Sequence, residues 1–335
     1  MSDSIHLDGP SLQKFIDRVE PDRGGEVAAF RPISGGYSRL SALGTIRWRD
    51  GAEETFVLRS DPPPDTGVFD SDRDTEWRFL QAMSGKAPVR TVLPRWYDET
   101  GEFFGSKCIV VDFFQGRPLA ELGKSPDEID RARVIFVDTV ATIHATALDV
   151  LPAAMERPTD WASYIDDLVE HLRTLDAAVP DSNPALHYAA AKLKANRQVE
   201  VPLTLVHGDC QPANVLVPES GAPLVIDWEF ARVGDPREDL GYYSRLPVPP
   251  NLYETGPDAF LARYRERTGL SEEQVNPQTV EYFFLLGMAR LLGQMLHSAE
   301  SLAQGHPRGV MATYLLNGTS ATMRRFFDIT RRIAG

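Results

Sequence analysis

The sequence predicts an α+β fold of two lobes, a small antiparallel sheet in residues 1–114 and a larger, mainly helical lobe in residues 115–335. Three observations predict it. Alternating, β-branched runs cluster before residue 114, with one helical stretch among them. Gln115-Gly116-Arg117-Pro118 interrupts the last of these runs. Beyond it apolar residues recur at helical spacing, and strand-like runs return only over 203–217 and 223–227. A chain of 335 residues also exceeds the roughly 250–300 at which a single hydrophobic core stops growing.

The elements follow in order. Leu12, Phe15, Ile16 and Val19 share one face of a helix over 11–20, which Gly24-Gly25 ends. Phe30–Ile33 and Ser41–Trp48 read as strands, Asp50-Gly51 as a hairpin turn and Thr55–Arg59 as the returning strand. Pro62-Pro63-Pro64 stops that strand. Trp77, Leu80 and Met83 place a helix over 72–84, and strands follow over 92–98 and 103–114. Ser125-Pro126 opens a helix to about residue 148. Helical spacing covers 160–175, 184–197, 257–267, 277–304 and 309–332, while Pro247–Pro250 reads as a loop.

Composition excludes several classes. The net charge of −13, spread over both halves, argues against a nucleic-acid partner, whose phosphates demand basic patches. No run approaches the ~20 apolar residues of a membrane span. The start, Met1–His6, has no basic stretch leading into an apolar one, so a cytoplasmic protein is the expectation. Cys108 and Cys210 make neither a disulfide framework nor a zinc pattern. Cys210 reads as a packed small side chain, with a reactive thiol as the alternative.

The densest chemistry lies in 205–229. Asp209 offers a carboxylate that can orient and deprotonate an attacking hydroxyl. Asn214 offers an amide oxygen, and Asp227, at the end of an apolar run, a second carboxylate. Such oxygens suit Mg²⁺, which takes one or two protein ligands beside phosphates and water. Order and spacing fit phosphoryl transfer from ATP. The plainer reading is an ordinary turn at His207-Gly208-Asp209 with Asn214 capping the next strand. It leaves the ordered set between two β-branched runs unexplained.

At these residues the chain resembles the aminoglycoside phosphotransferase and choline kinase group, small-molecule kinases with a protein-kinase-like fold. His207-Gly208-Asp209 with Pro212, Asn214 and Val215-Leu216-Val217 is similar to that group's catalytic loop. Val225–Glu229 is similar to its metal-binding strand, and Gly234-Asp235-Pro236 with Asp239-Leu240 to the segment after it. The resemblance implies Asp209 as catalytic base, Asn214 and Asp227 as Mg²⁺ ligands, and His207 as a loop organiser. Gly208 stands where protein kinases usually carry Arg, which favours a small-molecule acceptor.

The resemblance also frames the nucleotide end. Ser34-Gly35-Gly36-Tyr37-Ser38 lies where a phosphate-covering loop belongs, glycines admitting backbone N–H groups and Ser34 and Ser38 adding hydroxyls; a plain hairpin turn fits as well. Arg59 takes the place of the phosphate-binding lysine, keeping the charge. Glu76 reads either as its ion-pair partner or as a solvated helix position. Asp112 and Phe114 are expected to meet an adenine edge through their backbone, although a core strand ending there reads the same. Asp235 and Asp239 are expected to brace the catalytic loop, and His144 to be a satisfied core histidine. Arg290, Glu281 and the apolar run Phe283–Met288 either line an acceptor pocket or form core. Glu229 touches metal or substrate, or caps a turn.

The sequence therefore predicts a Mg²⁺-dependent ATP phosphotransferase acting on a hydroxyl of a small molecule. A catalytically silent nucleotide-binding scaffold is the alternative, favoured by arginine at 59. A phosphohydrolase using His207, Asp209 and Asp227 leaves Asn214 unexplained.

Overall fold

The computed structural model describes residues 6–33, 40–61, 72–122, 124–177, 184–244, 251–305, 326–329 and 331–332. The chain divides into two units: Met1–Gly85 with Thr91–Gln115, and Lys86–Arg90 with Gly116–Gly335.

In the first unit helix α1 (Gly9–Val19) starts where Asp8 accepts the Ser11 N–H at 2.9 Å. Strands β1 (Gly25–Ile33), β2 (Leu40–Trp48) and β3 (Glu53–Ser60) precede helix α2 (Arg73–Met83). A two-residue β4 (Arg90–Thr91), which belongs to another sheet, then β5 (Pro94–Asp98) and β6 (Cys108–Asp112), follow. The antiparallel sheet runs β1-β2-β3-β6-β5. Leu12, Phe15 and Ile16 of α1 pack on Ala42, Ile46, Trp48, Phe56 and Leu58 of the sheet. Gly44 permits that approach, since a Cβ there would lie 2.3 Å from Leu12.

Two expectations are corrected here. The first strand begins at Gly25, not Phe30, because only Gly24, at φ +56, makes the turn. Residues 103–107 are not strand: Asp98 accepts the backbone N–H groups of Glu102, Phe103 and Phe104 and winds them into a turn.

The second unit begins with β7 (Arg117–Pro118) and α3 (Pro126–His144), the latter opened by a reciprocal Ser125–Glu128 cap. Then come α4 (Trp161–Ala177), α5 (Pro184–Ala195), β8 (Thr204–Val206), β9 (Val215–Val217), β10 (Leu224–Val225) and β11 (Arg232–Gly234). Helices α6 (Arg237–Ser244), α7 (Pro257–Thr268) and α8 (Pro277–Ala303) complete it. Small antiparallel ribbons pair β7 with β9, β9 with β10, and β8 with β11. The core joins Trp161, Ile165 and Leu172 of α4, Leu186 and Leu193 of α5, and Tyr282–Leu286 of α8. Phe283–Leu286 is thus core.

Three differences from the sequence reading stand out. Residues 203–217 form two short strands separated by a loop, α3 stops at His144, and α6 was not foreseen as a helix. Pro62–Pro64, Pro247–Pro250 and most of 309–332 lie outside the described residues.

Helix α6 lies tight on α8 at Gly241, where a Cβ would come 2.5 Å from the Phe284 nitrogen and 2.6 Å from the Phe283 carbonyl carbon. Neither backbone atom can swing aside. Gly241→Ala is expected to cost about 1–3 kcal/mol, the usual range for overpacking. Gly287→Ala on α8, where a Cβ would meet nothing within 4 Å among the described residues, should be neutral or stabilising. Thermal denaturation of the two variants checks the contrast.

Candidate active site

The loop from His207 to Asn214, between β8 and β9, is held from below by one buried carboxylate. Asp239 of α6 accepts the His207 N–H at 2.8 Å and the Gly208 N–H at 2.9 Å. His144 of α3 donates its Nε2–H to Asp239 at 3.1 Å, while its Nδ1 accepts the Tyr264 hydroxyl at 2.7 Å. Burial by itself would raise Asp239, but the hydrogen bond from His144 and the donors on the loop hold it below its ordinary value. His144 is the satisfied core histidine expected, and Asp239 contacts the loop as expected of a brace. Asp235 directs its carboxylate elsewhere: it pairs with fully buried Arg237 and accepts the Trp161 indole N–H at 2.6 Å.

Asp239→Ala would leave the buried His207 N–H, the half-buried Gly208 N–H and buried His144 without their acceptor. The expected loss is several kcal/mol, at about 1–3 kcal/mol for each unpaired buried donor. Because folding lowers this carboxyl's pKa, its contribution is full above the ordinary aspartate range and fades as pH falls through the lowered value. Denaturant midpoints of wild type and variant should therefore converge in acid.

The loop's shape explains its glycine. Gly208 has φ +83, and a Cβ there would meet the Phe230 carbonyl oxygen at 2.6 Å. Only glycine fits both constraints. His207 spends both ring nitrogens on the backbone: Nδ1 accepts the Asp209 N–H at 3.2 Å and Nε2–H donates to the Ile226 carbonyl at 3.0 Å. Its ring packs on Trp228 at 4.6 Å.

Asp209 is half-buried at the end of this arrangement. Its Oδ1 accepts the Gln211 amide at 2.9 Å and the Tyr242 hydroxyl at 2.5 Å, and Oδ2 accepts the Asn214 amide at 2.8 Å. Burial raises its pKa, and the charge of Asp227 pushes the same way against these donors. Asn214 Nδ2 also donates to the Asp209 carbonyl at 2.9 Å. With both amide hydrogens committed, Asn214 Oδ1 is the group left to meet a cation. The backbone carbonyl of Asn214 accepts the Ile226 N–H at 3.0 Å, which ties this residue to the segment bearing Asp227.

Asp227 does not end the strand, as β10 stops at Val225. It sits at φ +69, the sole left-handed non-glycine among the described residues. Trp228 fixes the bend by donating its indole N–H to the Val225 carbonyl at 3.1 Å. Cys210 is buried, and burial pushes its thiol well up, as suits a packed side chain. Arg290 approaches Glu238 at 3.6 Å and Arg332 pairs with Glu281 at 2.8 Å.

In the first unit Arg59 lies on β3 with its guanidinium Nη1 2.9 Å from Glu76 Oε1, a charge contact outside good hydrogen-bond alignment. Glu76 is buried and also pairs with Arg73, which the sequence reading missed and which in turn binds Asp61 at 3.0 Å. Asp112 spends its N–H on the Leu93 carbonyl at 2.9 Å and its side chain on Arg95. Phe114 follows two residues on, half-buried. Ser34, Gly35, Gly36 and Ser38 lie outside the described residues. Tyr242 and Gln211 were also missed. A signal existed for Tyr242, which falls three residues after Asp239 and so on the same helix face.

An antiparallel-sheet unit, a helical unit and a carboxylate–amide loop together define a kinase-like phosphotransferase fold. The sequence model of the phosphotransferase enzyme family (APH) matches residues 29–276, and the chain belongs to that family. Among solved structures, a ternary complex of aminoglycoside phosphotransferase APH(4)-Ia with ADP and hygromycin B is 19% identical. The likeness covers 97% of this chain and 99% of that one, with a TM-score of 0.65. Macrolide 2'-phosphotransferase MphH of Brachybacterium faecium is 21% identical over 91% of this chain and 96% of its own, with a TM-score of 0.60. These likenesses show the fold. Acyl-CoA dehydrogenase family member 11 of Homo sapiens is 27% identical over 98% of this chain but 42% of its own length. The chain spans less than half the length of such curated relatives. Among the described residues no helix is long and apolar enough to cross a membrane.

Proposed function

We propose that the protein transfers the γ-phosphoryl group of ATP, with Mg²⁺, to a hydroxyl of a small molecule. The observation that carries this reading is the Asp209–Asn214 pair, in which one amide orients the carboxylate and keeps its own oxygen for a metal. The site's charges fit a cation: Asp227 bears on an Asp209 that burial already disfavours as an anion. Asn214 and Asp227 would hold Mg²⁺, which when bound neutralises phosphate charge. Arg59, steadied by Glu76, is the phosphate cation of this reading, and Ser34, Gly35, Gly36 and Ser38 the phosphate-covering loop.

The remaining chemistry is positioning. Asp209 orients the acceptor hydroxyl. A bond forms from its oxygen to the γ-phosphorus as the bridging P–O bond to ADP breaks, and the hydroxyl proton passes to Asp209. Aminoglycosides, macrolides, choline- or homoserine-like metabolites and hydroxyacyl compounds are the acceptors to try. Incubation with ATP, Mg²⁺ and such a panel, following ADP release, tests the reading. Acceptor-dependent ADP release is the expected result; nucleotide binding without any release would leave a silent scaffold instead.

A further inference from the structure

Two adjacent tyrosines of α6 face different tasks. Tyr243 is buried against Phe136, and its hydroxyl accepts the Leu252 N–H at 2.8 Å. Tyr242 is half-buried and donates its hydroxyl to Asp209 Oδ1 at 2.5 Å. Burial and the neighbouring Asp209 charge keep that phenol protonated, so it is a donor there and no rival base. Asp209 holds three donors on roughly four lone-pair sites. Two are amides from the loop itself. Only Tyr242 comes from another element, and only it is a hydroxyl, the group an acceptor would bring. Asp239, one helical turn earlier, anchors the same loop, so α6 fixes both the loop and the phenol.

We propose that the Tyr242 hydroxyl occupies, in the acceptor-free protein, the place on Asp209 that an acceptor hydroxyl takes. An acceptor seated by its own pocket exchanges one hydroxyl for another. Water has no such seat and must compete with a hydroxyl held intramolecularly at high effective concentration. Tyr242 is thus a specificity-determining residue that suppresses transfer to water. In that idle reaction the water oxygen bonds to the γ-phosphorus, the bridge to ADP breaks, and a water proton passes to Asp209. The proposal rests on Asp209 being the base.

The experiment follows ADP release from ATP and Mg²⁺ without acceptor, in wild type, Tyr242→Phe, Asp209→Asn and the double variant, with ATP affinity measured by calorimetry. Tyr242→Phe should raise idle hydrolysis about tenfold, the scale of one lost hydrogen bond to a charged group. ATP affinity should not change, and the double variant should lose the gain. With an acceptor from the panel, the Phe variant should lower the acceptor KM more than it changes kcat. Idle hydrolysis that is unchanged or lower in Tyr242→Phe, with ATP still bound, would overturn the proposal. So would a rise that survives in the double variant. Failure of the base assignment shows elsewhere, as acceptor-dependent transfer untouched by Asp209→Asn alone.

Discussion

Asp209→Asn is expected to lower acceptor-dependent turnover by about two to four orders of magnitude, the usual range for a general base, while ATP affinity stays within a few-fold. The substitution removes charge and basicity but little else. An asparagine can turn its oxygen to the Asn214 amide and its NH₂ to the Tyr242 hydroxyl, which can accept as well as donate. Gln211, half-buried, loses one partner and can turn toward solvent. The fold cost is therefore small beside the kinetic effect. In a loose phosphoryl transfer the base takes its proton late and contributes little to holding the nucleotide. Steady-state ADP release with a panel acceptor and calorimetry with ATP separate the two quantities. Undiminished turnover would remove Asp209 as the base.

What the sequence made readable was local. The sheet unit could be read in order because alternation, Asp50-Gly51 and the helix between strands are signals within a few residues. The reading failed where a distant group decides. Phe103 and Phe104 look like strand residues, yet Asp98, several positions earlier, captures their N–H groups. Helix α6 looks too charged for an interior helix, but Arg237, Glu238 and Asp239 are buried with partners supplied by other elements. The candidate site divides the same way. That Asp209 and Asn214 meet was legible because they lie five positions apart in one short loop. Tyr242 was not, since its partner lies 33 positions away. Arg73 was missed because its role appears only once Asp61 and Glu76 come together around it.

Asp227→Asn should abolish the Mg²⁺ dependence of nucleotide binding and lower turnover about a thousandfold, several kcal/mol being what a bound metal contributes to charge stabilisation. The choice of asparagine follows from the backbone. At φ +69 an alanine is strained by roughly 1–2 kcal/mol, whereas asparagine, like aspartate, tolerates the left-handed region. Asp227→Ala would thus mix a folding cost with a ligand loss, and Asp227→Asn isolates the ligand. It also relieves Asp209 of a neighbouring negative charge, one of the forces that raise it. Asp209 should then be, if anything, a readier anion, so lost turnover could not be charged to the base. Calorimetry with ATP, with and without Mg²⁺, and thermal denaturation of both variants make the comparison. The expected pattern is a lower melting temperature for alanine alone, with metal dependence gone in both. Metal dependence retained in the asparagine variant would take Asp227 out of the ligand set.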